Sequence, residues 1–70
     1  MTYQTVGHRI RAQRTRRGMS LRDLQAASGV HFATISKIES GARQPNLSHL
    51  QRLAKALRVL PGTLIPKRAA

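Results

Sequence analysis

Apolar residues recur along much of the chain at intervals of three and four, the spacing that places side chains on one face of an α-helix. In the middle of the chain, two such patterns are separated only by the dipeptide Gly29-Val30. A connection this short requires the two helices to cross steeply. The expected inner faces are Leu24, Ala27 and Ser28 in the first helix, and Ile35 and Ile38 in the second.

Both of these central helices have recognisable ends. Ser20 and Asp23 form a near capping box, in which the serine hydroxyl accepts from the Asp23 amide and the carboxylate accepts from the Ser20 amide. Gly29 and Gly41 suit the left-handed backbone at which helices commonly end. Residues 20–41 therefore have helix-turn-helix spacing, in which the second helix can be offered to the major groove of DNA.

A first helix is predicted from Val6 to about Arg17, with Thr5 as its N-cap and Gly18 at its end. The preceding segment, Met1 to Gln4, is expected to be a flexible arm. The expected inner face consists of Val6, Ile10 and either Gln13 or Arg14.

An arginine that turns inward needs a partner of opposite charge, because an unpaired buried charge is costly. The chain offers only Asp23 and Glu39 for Arg14. The alternative is that Arg14 and Glu39 are both solvated at the surface.

A fourth helix is predicted after Pro45, which disfavours helix in the residue before it, and Asn46, which is a strong N-cap. Its apolar stripe, expected to be core, is Leu47, Leu50, Leu53, Ala54 and Leu57. Its other faces carry His49, Arg52, Lys55 and Arg58.

A short fifth helix is predicted from Pro61, which suits a first helical position, to about Leu64. Pro66 is expected to end it, and residues 67–70 are expected to be disordered. The apolar residues of this segment exceed what a small four-helix core needs. They either form a two-fold dimer contact or cap the core, and they are Leu60, Leu64 and Ile65.

The chain has 70 residues and no cysteine, with 13 lysines and arginines against 2 acidic residues and a formal net charge of +11. This length predicts one domain with one modest core, ordered over about residues 5–66. A domain this basic is drawn to polyanions, with nucleic acid the first candidate and an anionic membrane the second. The chain lacks a membrane-length apolar run and a signal peptide, so we expect a cytoplasmic protein.

The same composition argues against an enzyme. The two acidic residues both have structural roles, and His8, His31 and His49 lie on separate predicted elements. No set of residues has the spacing of a catalytic triad or a metal site. We therefore expect no catalytic residue, no metal and no cofactor.

A specific set of residues carries a resemblance to a known family. They are Ile10-Arg11, Arg14, Gly18-Met19-Ser20, Leu24, Gly29-Val30, residues 34–41, Pro45 and residues 50–57. In order and spacing this set resembles the phage repressor and Cro type of helix-turn-helix domain, the XRE-like regulators. The resemblance extends from about Val6 to Leu64. It implies an all-α fold, a compact four- to five-helix bundle of the lambda-repressor-like DNA-binding class.

The resemblance also implies roles for individual residues. Phe32, Ala33 and Lys37 occupy the positions that face base edges. Lysine can donate to guanine O6 and N7, and Phe32 or Ala33 can meet a thymine methyl group. An ion pair between Arg14 and Glu39 is implied. Expected phosphate contacts are Ser20, Leu21, Arg22, His31, Ser36, Ser40, Arg43 and Gln44.

Three positions depart from the family pattern. His31 replaces the usual serine or threonine cap, and it either reaches a phosphate or serves as a weaker cap. Phe32 replaces a polar or basic reader, and it either contacts a base or packs against Tyr3 or a neighbouring loop. Leu21 replaces a glutamine, so a side-chain phosphate contact is lost there and Arg22 can compensate.

The leading functional prediction is a sequence-specific regulator of transcription that binds double-stranded DNA. It is expected to repress by occluding a promoter, and to bind a pseudo-palindromic operator as a homodimer. It is expected to be encoded by a bacterium or phage and to associate with the nucleoid when bound. The alternative is an antitoxin that binds both DNA and a toxin protein. Membrane binding is weaker, because the basic residues surround several helices.

Overall fold

The computed structural model describes residues 5–65, which form five α-helices and no β-strand. The predicted all-α class is confirmed. The expected arm at residues 1–4, the helix end at Pro66 and the tail at residues 67–70 lie outside the described residues. The helices are α1 (Val6–Arg16), α2 (Leu21–Ser28), α3 (Phe32–Ser40), α4 (Leu47–Ala56) and α5 (Pro61–Leu64).

The helices begin where the sequence places caps. Thr5 accepts a hydrogen bond from the His8 amide at 3.2 Å and opens α1. The capping box of α2 is complete: Ser20 Oγ accepts from the Asp23 amide at 3.0 Å, and Asp23 Oδ2 accepts from the Ser20 amide at 2.8 Å. Asn46 Oδ1 accepts from the His49 amide at 2.7 Å at the start of α4. Local chemistry therefore fixes three helix starts.

The turn between α2 and α3 depends on Gly29, which has a φ of 79°. Its amide donates to the Gln25 carbonyl at 2.8 Å and closes α2. Among residues 5–65, no atom lies within 4 Å of the position that a Cβ on Gly29 would take. Backbone conformation rather than space is therefore what requires glycine here.

The core is aliphatic and draws on every helix. Leu24 of α2, Ile35 of α3 and Leu53 of α4 are fully buried at its centre. In the described chain, α1 packs on α3 and α5, α2 packs on α3 and α4, and α4 packs on α5. The remaining buried apolar residues are Ile10, Val30, Ile38, Ala54, Leu57 and Leu64.

Two predicted core positions are wrong. Ala27 is exposed, because the buried side of α2 runs through Leu21, Leu24 and Ser28 and leaves residue 27 at its outer edge. Leu47 is 68% exposed. It opens α4, and burial along that stripe increases only toward the C-terminal half of the helix.

One predicted dimer residue is also wrong. Leu64 is 0% exposed and belongs to the core, so it cannot contact a second copy. The short α5 folds back onto α1 and α4, which is what buries this side chain. Leu60 and Ile65 remain 77% and 49% exposed.

The contact between α1 and α3 is unusually close at Gly7. A Cβ on this residue would collide with the Ile38 carbonyl oxygen and lie 3.1 Å from the Glu39 Cα. Only a residue without a side chain allows the two backbones to approach to this distance. Gly7 therefore determines how closely α3 packs against α1.

Candidate nucleic-acid interface

Within residues 5–65, one face of α3 is open to solvent. Ile35 and Ile38 turn into the core, and α1 and α2 cover the sides of the helix next to them. Because successive residues are rotated by about 100°, the opposite side of the helix faces outward. Its exposed residues are Ala33, Ser36, Lys37 and Ser40. We call this surface the α3 face.

The start of α3 is held by residues that accept its first amide protons. The Phe32 amide donates to Gln25 Oε1 at 2.9 Å, which ties α3 to α2. The Ala33 amide donates to His31 Nδ1 at 3.1 Å. His31 is therefore the N-cap of α3. Capping was one of the two roles predicted for it, the other being a phosphate contact.

Phe32 differs from the other residues predicted to read bases, because it is half-buried. Its ring lies under the Arg22 guanidinium, whose central carbon is 4.5 Å from the ring centroid. It also stacks with the His31 ring at 4.7 Å. The alternative predicted for Phe32 was packing against Tyr3 or a neighbouring loop. The ring packs against Arg22 of α2 and against His31 in the turn before α3, and Tyr3 lies outside the described residues.

The predicted ion pair fixes α3 against α1. Arg14 Nε donates to Glu39 Oε2 at 2.7 Å, and its NH2 group donates to Glu39 Oε1 at 3.0 Å. The third nitrogen, NH1, donates to the Met19 carbonyl at 2.9 Å. The hydrogen bond with Glu39 raises the pKa of Arg14 above its ordinary value. This two-pronged pair is the partly buried contact that the family resemblance implied.

The start of α2 offers fewer phosphate donors than predicted. The Ser20 amide is occupied by Asp23, and hydrogen bonds from Ser20 lower the pKa of the Asp23 carboxyl. Within residues 5–65, the Leu21 and Arg22 amides donate no hydrogen bond. A phosphate here would meet those two amides and the exposed Arg22 side chain.

The end of α3 and the following loop carry the remaining candidates. Ser36, Arg43 and Gln44 are exposed. The Ser40 hydroxyl donates to the Lys37 carbonyl at 3.1 Å, so its proton is already used within the helix. The Arg43 amide donates to the same carbonyl at 3.2 Å, which folds the loop back beside the α3 face. Arg43 is the basic residue of this loop, and its exposed side chain lies next to the α3 face.

Electrostatics favours a polyanionic ligand. The two acidic residues are both engaged, Asp23 in a capping box and Glu39 in a buried pair, so positive charge dominates the surface formed by residues 5–65. Residues 5–65 contain no group of three or more potential metal ligands. Within the same range, every helix is too short or too polar to span a membrane.

Sequence reasoning missed three residues that shape this surface. Gln25 binds the α3 start across a tertiary contact, Met19 supplies a carbonyl to Arg14, and Gly7 admits the α3 backbone. The contacts of Gln25 and Met19 depend on how the helices pack, which the residues next to them in the sequence do not reveal. A glycine in the first turn of a helix was a usable signal, because glycine is unfavourable there without a packing reason.

Known sequences resemble the chain over most of its length. The helix-turn-helix family model matches residues 10–64. An uncharacterized HTH-type transcriptional regulator of Mycobacterium tuberculosis is 43% identical over 63 residues, which are 90% of this chain and 25% of that protein. The chain therefore spans about a quarter of the length of that relative.

Solved structures resemble the chain in fold over most of its length. The P22 c2 repressor protein in complex with synthetic operator 9T is 35% identical, has a TM-score of 0.83, and is matched over 90% of this chain and 96% of that one. The N-terminal DNA-binding domain of SinR from Bacillus subtilis is 28% identical, with a TM-score of 0.85 over 97% and 100% of the two chains. The chain belongs to the Cro/C1-type helix-turn-helix family of DNA-binding transcriptional regulators, which are not enzymes.

Proposed function

We propose that this chain binds a pseudo-palindromic operator as a homodimer and represses transcription by occluding a promoter, with α3 in the major groove. The α3 face supports this proposal, because it is open to solvent and carries the exposed Lys37. The Arg14–Glu39 pair and the close approach at Gly7 hold α3 against α1, with the α3 face pointing outward. The similarity to a repressor bound to a synthetic operator supports it.

Base recognition is proposed for two exposed residues of the α3 face. Lys37 would donate to guanine O6 and N7, and the Ala33 methyl group would meet a thymine methyl. Both side chains lie on the side of α3 opposite the buried Ile35 and Ile38. Phe32 differs from these two residues, because its half-buried ring packs against Arg22 and His31.

Phosphate contacts are proposed on both sides of the α3 face. Arg43 would contact one strand from the loop after α3, with Gln44 beside it. Arg22 and the Leu21 amide would contact the backbone from the start of α2, and His31, Ser36 and Ser20 are further candidates. Because the Ser40 hydroxyl donates within α3, its contact would require that bond to break.

A two-fold dimer is proposed through the exposed apolar side chains next to α5. Leu60 and Ile65 are large, apolar and open to solvent. Two recognition helices roughly 34 Å apart would then meet successive turns of the major groove. Leu60→Lys should abolish the dimer on DNA while leaving the monomer folded. If the variant and the parent protein form the same fraction of dimer on DNA in sedimentation experiments, the dimer contact lies elsewhere.

Selection of bound duplexes from a random pool tests the proposal. The expected result is a short inverted repeat bound roughly 1,000-fold or more above a scrambled duplex at physiological salt. Added protein should then block transcription from a promoter that overlaps the repeat, as expected in the cytoplasm of a bacterial cell. If no motif emerges and all duplexes lose affinity together with salt, the charge alone drives binding. That result would favour a protein-binding role, including the predicted toxin partner.

A further inference from the structure

The beginning of α3 carries a contact that helix-turn-helix spacing does not require. The Arg22 guanidinium carbon lies over the Phe32 ring, 4.5 Å from its centroid. The His31 ring stacks on the same phenyl group at 4.7 Å, with 27° between the planes. These three side chains, from α2, the turn and α3, form the Arg22–Phe32–His31 stack.

The stack rests on fixed parts of the fold. Phe32 is half-buried, and its amide is bound by Gln25 of α2 at 2.9 Å. His31 is held because its Nδ1 accepts from the Ala33 amide at 3.1 Å. The phenyl ring is therefore a firm support, and its face attracts the cation of an arginine above it.

We infer that Phe32 is a positioning residue, whose ring holds the Arg22 guanidinium in place for a phosphate of the DNA backbone. Stacking uses the flat face of the guanidinium and leaves its N–H groups, which lie in the plane, free to donate. That fork matches the oxygens of a phosphate. The inference rests on the proposed contact between Arg22 and DNA.

The physical gain is preorganisation. A free arginine side chain loses rotamer freedom when it docks on DNA, and this ordering weakens binding by roughly two- to tenfold. Stacking on Phe32 restricts Arg22 before DNA arrives. The sequence preference of the protein should therefore not depend on Phe32, although its affinity should.

A double-mutant cycle on the selected duplex tests this. The variants are Arg22→Ala, Phe32→Leu and the pair together, with Phe32→Tyr as the variant that keeps the stack. Arg52→Ala is the matched control, because Arg52 is exposed on α4 and its removal changes the net charge equally. Thermal unfolding of each variant separates loss of fold from loss of contact.

We expect Phe32→Leu to weaken binding roughly two- to tenfold in the parent protein and by less than about twofold when Arg22 is already alanine. Phe32→Tyr should retain affinity. Arg22→Ala should lower the salt slope by about one, so that binding changes about threefold less between 50 and 200 mM salt. Arg52→Ala should leave the slope nearer that of the parent.

Equal losses from Phe32→Leu in both backgrounds would overturn the inference. So would a Phe32→Leu loss confined to one base pair, because that result would make Phe32 a base reader. Failure of the random-pool selection would instead refute the proposed operator function, so the two failures are distinguishable.

A measurement on the unsubstituted protein covers the case in which Phe32→Leu does not fold. Relaxation of the Arg22 Nε–H group by NMR should show restricted motion in the free protein. Arg43, which is exposed in a loop, is the internal control and should move freely. Equal mobility of the two arginines would overturn the inference.

Discussion

Replacing Arg14 by methionine should remove a large part of the stability of this domain. The substitution keeps an unbranched side chain of similar length but deletes three charged hydrogen bonds, two to Glu39 and one to the Met19 carbonyl. It leaves the Glu39 carboxylate, 8% exposed, without a hydrogen-bond donor from residues 5–65. The main cost is this orphaned charge rather than the lost bonds themselves.

The magnitude follows from burial. Removing one partner of a buried pair typically costs about 3–5 kcal/mol. Arg14 is 13% exposed, so water reaches part of the pair and we expect the lower end, about 3 kcal/mol. At about 0.05–0.15 kcal/mol per residue, a domain of this length has roughly 4–10 kcal/mol in total. The Arg14→Met variant should therefore retain roughly 1–7 kcal/mol, so at the lower bound a measurable fraction is unfolded at room temperature.

Urea unfolding followed by circular dichroism measures the loss. The informative control is the double variant Arg14→Met with Glu39→Met, which orphans no charge. It should be more stable than Arg14→Met alone, because replacing a whole buried pair by apolar residues is often nearly neutral. An Arg14→Met cost below about 1 kcal/mol would place the pair among solvated surface contacts. A double variant less stable than either single variant would also refute this reasoning.

Three further predictions concern the fold. Gly7→Ala should lower the unfolding free energy by about 1–3 kcal/mol in denaturant titration, because its Cβ would collide with the Ile38 carbonyl; an unchanged midpoint would contradict the close approach. Hydrogen bonds lower the folded-state pKa of Asp23, so its stabilisation is present above the ordinary value of 3.8 and is lost as the pH falls through the folded value. Asp23→Asn should therefore flatten the acid limb of a stability-against-pH curve, and parallel curves would argue against this. Arg58 has a φ of 58°, so Arg58→Gly should raise the melting temperature by relieving roughly 1 kcal/mol of strain; a lower melting temperature would contradict it.

The helix limits were predictable because they depend on neighbouring residues. Ser20 and Asn46 cap helices with their own side chains, and Gly29 adopts a conformation that other residues disfavour. Each signal acts within four residues of its position. The Arg14–Glu39 pair spans 25 residues and was predicted because the family resemblance implied it, not from local chemistry.

The errors concern contacts between helices. Leu47 and Leu64 have the same apolar chemistry, yet the first is exposed and the second is buried, because only the second faces other helices. The position of the Phe32 ring likewise depends on Arg22, which lies on another helix. Periodicity identifies an apolar face but not which part of that face a neighbour covers. The spacing of Ile35 and Ile38 predicted the exposed side of α3 except at Phe32, whereas the contacts that support α3 required the structure.

In the proposed complex the α3 face reads base edges, whereas the flanking cations contact only phosphates. Affinities of Lys37→Ala and Arg43→Ala for the selected duplex, and for a panel that changes each base pair in turn, test it most directly. Lys37→Ala should lose discrimination at one or two base pairs, by about 1–3 kcal/mol each. Arg43→Ala should weaken every duplex alike and reduce the salt slope by about one. If Lys37→Ala instead weakens all duplexes equally, Lys37 contacts only the backbone and the account of recognition by α3 is wrong.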